Sequence, residues 1–235
     1  MINEMLNTME NQDENMVGGK VIRTYHYKAE MSRTDINVLY NLMLLRISKG
    51  YLSEETSFLM GTSSNAVGNF EKLARKRVTM RMLMDILAAL EKKSLNGFIL
   101  FGSGRKSGDF TCHMVRTKRT KIIEHALYLM DDTGTERLVF KLFELNPSYT
   151  PFSQSDAHEL KAIREILDVE LNDNWLSPKT PLEIYQHCCM LTDQDIMPRQ
   201  VIKVLEEMTS RRSYPKLFRN KANEGRKVIY EKVSS

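Results

Sequence analysis

The chain has 235 residues, of which 42% are hydrophobic and 27% charged, with a formal net charge of +4 at pH 7. This is the make-up of a globular protein long enough for two modest cores. Its apolar stretches, such as Val38–Ile47 and Ile86–Leu90, are interrupted by polar residues and fall far short of the roughly 20 that cross a bilayer, so no membrane span is expected.

The N-terminal residues MINEMLNTMENQDENM carry acids where a secretory signal needs bases and have no apolar centre, which points to a cytoplasmic protein. Three cysteines, Cys112, Cys188 and Cys189, are odd in number with two adjacent, a pattern unlike a disulfide framework or a zinc site, and they read as reduced thiols packed as small hydrophobes. His26, His113, His125, His158 and His187 stand at no metal-ligand spacing, so neither a metal nor a cofactor is expected.

Positive charge is clustered. Between Arg211 and Lys232 there are eight bases (Arg211, Arg212, Lys216, Arg219, Lys221, Arg226, Lys227, Lys232) against two acids, Glu224 and Glu231. A second run holds Lys72, Arg75, Lys76, Arg77 and Arg81, and a third holds Arg105, Lys106, Arg116, Lys118, Arg119 and Lys121. Clustered cations attract polyphosphate, although a solitary run is more often a solvated face.

In chain order, residues 1–20 read as a disordered tail, rich in Asn, Glu and Met and ending in Gly18-Gly19. VIRTYHYK alternates weakly, as a short strand does. From Asp35 the apolar positions Val38, Leu39, Leu42, Leu45 and Ile47 predict a helix stopped by Gly50. Ser53 caps a second, with Glu54 and Glu55 in its first turn and Gly61 at its end. Thr62 or Ser63 opens a third through Ala66, Val67 and Phe70, and Thr79 a fourth through Met82, Leu83, Ile86, Leu87 and Leu90.

Gly97, Gly102, Gly104 and Gly108 mark residues 94–116 as a basic linker, with room for a strand at Phe98–Phe101. Thr120–Met130 and Thr135–Leu145 are expected to be helices forming a connector or a dimer contact. Ser155 or Asp156 caps a helix running to about Leu171, Thr180-Pro181 opens another, and Met197-Pro198 starts a further one through Val201, Val204, Leu205 and Met208. PKLFRNK and RKVIYEKV then flank Ala222-Asn223-Glu224-Gly225 as a β-hairpin.

Residues 36–91 resemble the helix-turn-helix of the Cro and phage-repressor family through Leu52-Ser53, Leu59, Gly61, Ser63, Val67, Glu71, Leu83, Ile86 and Ala88–Leu90. In that family a short helix braced on the backbone holds the next helix in a major groove about 12 Å wide. The resemblance implies that Ser64, Asn65, Gly68 and Asn69 face base edges and that Lys72, Arg75, Lys76 and Arg77 meet phosphates. Glu54 departs from the pattern, standing where the family commonly has a phosphate-contacting Gln.

Residues 156–233 resemble a winged helix: helix, helix, turn, recognition helix and two-stranded wing. The resemblance implies that Arg199, Gln200 and Lys203 read base edges while Arg219, Lys221, Arg226 and Lys227 reach phosphates. No enzyme is expected. GSGRKSG lacks the Gly-Lys-Ser/Thr ending of a phosphate loop, and Asp131-Asp132 and Asp193/Asp195 adjoin turns, where Asp satisfies backbone amides.

The sequence is thus expected to give a mostly α protein: tail 1–20, helix-turn-helix domain 21–95, basic linker and helical connector 96–150, and winged-helix-like domain 151–235. Its expected function is that of a DNA-binding transcriptional regulator, with double-stranded DNA as partner and a homodimer through residues 117–146. The alternatives are an interaction scaffold built on the same folds and a replication-initiation or DNA-processing factor.

Overall fold

The computed structural model describes residues 11–17, 20–75, 77–96, 98, 108–131, 133–149, 154–221 and 227–234. The chain forms two compact units, one from Met1–Leu52 with Val67–Pro151 and one from Ser53–Ala66 with Phe152–Ser235. The fold is mixed α/β, which corrects the expectation of a mostly α protein.

The first unit is built on a five-stranded antiparallel meander, β1 (Asn11–Val17), β2 (Lys20–Ser32), β3 (Asp109–Lys118), β4 (Ile122–Met130) and β5 (Glu136–Leu145), in that spatial order. The two stretches expected as a helical connector are therefore β4 and β5, and part of the expected linker is β3. Both connector segments are rich in β-branched and aromatic residues, and the chain between them is a turn that suits a hairpin. Asp131 Oδ1 there accepts the amides of Thr133 and Thr135, each at 2.9 Å, and Gly134 supplies φ +80°. The expected disordered tail is corrected over Asn11–Val17, which pairs with β2 from Lys20 to His26. An edge strand is held by its backbone bonds and needs no apolar composition. Phe98 lies in a turn and is buried; the rest of the expected strand at 98–101 falls outside the described residues.

One sheet face alternates into the core through Tyr27, Ala29 and Met31 of β2, Cys112 and Met114 of β3, Ile123 and Leu127 of β4, and Phe140 of β5. Helix α1 (Arg33–Ser48) packs on β2 and β5 through a stripe that includes Leu39, Leu42 and Met43. Its N-terminus is closed by Ser32, whose hydroxyl accepts the Asp35 amide at 3.1 Å. The buried Asp35 carboxylate in turn accepts the Val78 amide at 3.0 Å. Helices α3 (Ala66–Glu71) and α4 (Met80–Ala89) follow, the latter capped by Thr79 as expected.

The second unit contains α2 (Ser53–Leu59), α5 (Gln154–Val169) running into a single π turn at Glu170–Asn174, α6 (Pro181–Leu191), α7 (Pro198–Ser210), and a hairpin of β6 (Lys216–Lys221) and β7 (Val228–Val233). Thr180 closes α6 with a reciprocal box: its hydroxyl accepts the Glu183 amide at 3.3 Å, and its own amide donates to Glu183 Oε2 at 2.7 Å. The core gathers Leu160, Ile163 and Leu167 from α5, Ile184 and Cys188 from α6, Val201, Val204, Leu205 and Met208 from α7, and Leu217, Val228 and Tyr230 from the hairpin. Residue Lys179 adds a short antiparallel bridge to Tyr230 on the outer edge of β7. Farther along that edge the Val228 amide donates to Gly61 O at 2.8 Å.

Among the described residues no helix is long and apolar enough to cross a membrane. Burial pushes the thiols of Cys112 and Cys188 up to about 12, so at neutral pH both are uncharged packing groups.

Candidate nucleic-acid interface

The second unit brings together α2, the turn after it, the first turn of α7 and the start of β7. Pro198 has no amide hydrogen to satisfy, and the amides on either side of it in α7 find acceptors in side chains. Met197 N donates to Gln200 Oε1 at 2.7 Å, and Arg199 N donates to Glu55 Oε1 at 2.9 Å. Glu55 is 1% exposed, so its carboxylate from α2 meets the positive end of the α7 dipole away from water.

This arrangement decides two of the residues expected to read bases on α7. Gln200 is buried, and besides capping Met197 it donates from Nε2 to Glu159 Oε2 at 2.6 Å; it belongs to the interior and is not offered to a duplex. Arg199 holds its guanidinium 3.6 Å from Glu55. Lys203 is exposed, but Glu206 and Glu207 share the solvent side of the helix, and Glu207 is bonded to Arg164 at 2.6 Å. The face of α7 is thus of mixed charge, not a cationic stripe.

The hairpin differs. Pairing of Leu217 with Lys232, Arg219 with Tyr230 and Lys221 with Val228 puts Leu217, Val228 and Tyr230 on the inward face, while Arg219 and Lys221 continue the same row out into solvent. Neither cation forms an ion pair with a described residue. Lys227, just before β7 at the turn end of the hairpin, is half-buried, and a Cβ placed on Gly61 would lie 3.6 Å from its own Cβ. Gly61 itself needs φ +71°, which explains a glycine at that close approach. Arg226 lies outside the described residues.

In the turn after α2, Ser64 is exposed, with its carbonyl accepting the Ala66 amide at 2.8 Å. Asn65 is turned back onto α2. Its Nδ2 donates to Glu54 Oε1 at 2.7 Å and to Ser53 Oγ at 3.2 Å, and its Oδ1 accepts from Ser57 Oγ at 3.2 Å. The unexpected carboxylate at position 54 therefore has an internal use, holding the turn that leads into α3.

The remaining expected contacts belong to the first unit. Helix α3 has only six residues and is followed by a turn through the buried Leu73 at φ 56°. It exposes Asn69, with Lys72 half-exposed and Gly68 buried. Arg75 and Arg77 are exposed beyond it, Arg77 at 3.9 Å from Asp109, and Lys76 lies outside the described residues.

Sequence reasoning missed a buried charge cluster in this unit. Arg46, 1% exposed, clamps Glu71 with two bonds of 2.7 and 3.0 Å and gives Nη1 to Glu144 Oε2 and Tyr51 O, both at 2.7 Å. Burial by itself would raise the Glu144 carboxyl, but the His125 ring nitrogen at 3.2 Å and the Arg46 charge outweigh it and hold the group at about 2. The only hint in the sequence was Arg46 inside an apolar helical stripe. Also unanticipated is a chain across the opposite sheet face from His26 Nδ1 to His113 Nε2 at 3.0 Å and from His113 Nδ1 to Glu136 Oε1 at 2.6 Å. Among the described residues no group of three or more His, Cys, Asp or Glu is placed to hold a metal ion.

No family model matches the chain, and no curated protein matches it. Among solved structures, the crystal structure of "the RctB domains 2-3" aligns over 96% of this chain and 91% of that chain, at 10% identity and a TM-score of 0.20. At that score the alignment carries neither fold nor function to this chain.

Proposed function

We propose that this chain is a non-enzymatic regulator that binds double-stranded DNA through its second unit, with the hairpin as the principal phosphate contact. The observation that carries this reading is the pair of exposed cations Arg219 and Lys221 on β6, across from the buried Tyr230 and Val228 of β7. The order helix, bridge at Lys179, helix, helix, hairpin supports a winged-helix reading of the same residues. In such a module the hairpin cations neutralise backbone phosphates, and Lys203 with Arg199 stands at the groove.

The test is fluorescence anisotropy of labelled duplex DNA across a salt series. Counterion release makes affinity fall steeply with salt, and R219Q/K221Q flattens the slope by about one unit for each cation removed. An unchanged slope sinks the reading. Glu206 and Glu207 beside Lys203 favour a second one, in which α7 docks a protein with basic side chains; it predicts no duplex binding and loss of the protein partner in E206Q/E207Q.

A further inference from the structure

The third basic run of the sequence has no part in the second unit. Of its described members, Arg116 is paired with Glu144 at 3.4 Å, while Lys118, Arg119 and Lys121 lie at one end of the five-stranded sheet, where the short turn between β3 and β4 is closed by the Arg119 amide donating to Ile122 O at 2.9 Å. Arg23 of β2 stands opposite Lys118 in register. Arg23, Lys118, Arg119, Thr120 and Asn146 line a cleft of about 160 Å³.

Asn146 is 4% exposed and organises the turn. Its Nδ2 donates to the carbonyls of Arg119 at 2.7 Å and Thr120 at 3.2 Å, and its backbone amide donates to Lys121 O at 2.9 Å. Three carbonyl oxygens that would repel an anion are thereby turned inward. Lys118 Nζ bonds Ser148 Oγ at 3.3 Å, and Lys121 Nζ lies 5.3 Å over the ring of Tyr149, which is 46% exposed. Glu124 is held by Lys141 at 2.6 Å and lies 3.8 Å from Arg119, and Glu14 occupies the register position beside Arg23.

From this arrangement we infer that the sheet-end cleft of Arg23, Lys118, Arg119 and Thr120 is a phosphate-binding site that takes the backbone of a nucleic-acid strand, with Lys121 and Tyr149 at its edge. Guanidinium and ammonium groups around inward-turned carbonyls suit a phosphodiester, and an exposed tyrosine under a lysine offers a stacking face beside it. The site belongs to the first unit and is independent of the hairpin; it rests on the DNA reading only for the source of the phosphate.

The experiment compares the full chain with K118Q/R119Q, with R23Q as a milder second variant and R219Q/K221Q as the hairpin control, each checked for an unchanged thermal melt. Duplex anisotropy across the salt series is measured for all four, and inorganic phosphate is titrated into the wild type and K118Q/R119Q with chemical shifts as readout. K118Q/R119Q is expected to lower the salt slope by about two units and R23Q by about one. If K118Q/R119Q and R23Q match the wild type while R219Q/K221Q weakens binding, the cleft is overturned and the hairpin reading stands. If only the cleft variants weaken binding, the cleft stands and the hairpin reading falls. If the wild type binds no duplex, saturable phosphate shifts lost in K118Q/R119Q assign the cleft to a free phosphate compound instead, and absence of such shifts overturns the site altogether.

Discussion

The carboxylate of Glu55 accepts the backbone amide of Arg199 at 2.9 Å, so a side chain of α2 closes the N-terminus of a helix 144 residues further along the chain. Glu55 is only 1% exposed, and the Arg199 guanidinium lies 3.6 Å from it. Glu55→Ala should destabilise the second unit by about 1–2 kcal/mol, the usual cost of a lost cap. Glu55→Gln, which keeps an acceptor but loses the charge, should cost less. Urea unfolding followed by circular dichroism measures the difference; equal effects would remove the electrostatic part of the account.

Arg46 bridges two carboxylates, the buried Glu71 and the largely shielded Glu144, and the second also lies 3.4 Å from Arg116. Arg46→Met strands Glu71 and leaves Glu144 with only its contacts to Arg116 and His125, and should cost about 3–5 kcal/mol at neutral pH. Arg46→Lys cannot reproduce the two-pronged contact with Glu71 and should recover only part of the loss. Lowering the pH should narrow the gap between Arg46→Met and the wild type, because protonation relieves the stranded carboxylates. A gap that stays constant with pH in urea melts would contradict the ion-pair account.

Glu144 also sets an acid limit on stability. Its carboxyl sits at about 2 in the folded chain against 4.5 for the free group, despite burial, because His125 and Arg46 stabilise the anion. A depressed folded value contributes stability that is complete above about 4.5 and is lost as pH falls toward about 2, on the order of 3 kcal/mol over that window. Thermal melts between those limits should therefore fall steeply for the wild type and more gently for Glu144→Gln.

Asn65 and the hairpin cations should separate in function. Because Asn65 is committed to Glu54, Ser53 and Ser57, Asn65→Ala should destabilise by about 1 kcal/mol through lost hydrogen bonds while leaving the sequence preference for duplex DNA unchanged. A changed preference among sequences selected from a random pool would return Asn65 to the base-reading set.

The helices of both units were legible because their signals are local. Thr79, Thr180 with Pro181, and Pro198 each mark a helix start that the backbone adopts, and Gly61 ends α2 at positive φ. The hairpin was legible for the same reason, two alternating runs flanking Ala222-Asn223-Glu224-Gly225, a stretch that lies outside the described residues. The sheet was not. The apolar residues of Ile122–Met130 and Glu136–Leu145 fit a helical stripe as well as a strand, and only pairing distinguishes the two. β2 and β3 are separated by about 80 residues of chain, so the pairing energy that makes β3 a strand is invisible within any local window. The Asp131–Thr135 turn was the one nearby clue.

The candidate site divides along the same line. Composition and charge placed Arg219, Lys221 and Lys227 on a hairpin, since a run of bases around a turn is a property of the chain itself. Whether an amide such as Asn65 or Gln200 faces a ligand or the interior depends on which other groups lie within hydrogen-bond reach, and those groups come from other parts of the chain. The sequence by itself determined where helices begin and end and where positive charge collects. Only the tertiary structure decided which polar side chains are consumed in holding it together, because a buried donor or acceptor must find a partner wherever the fold supplies one.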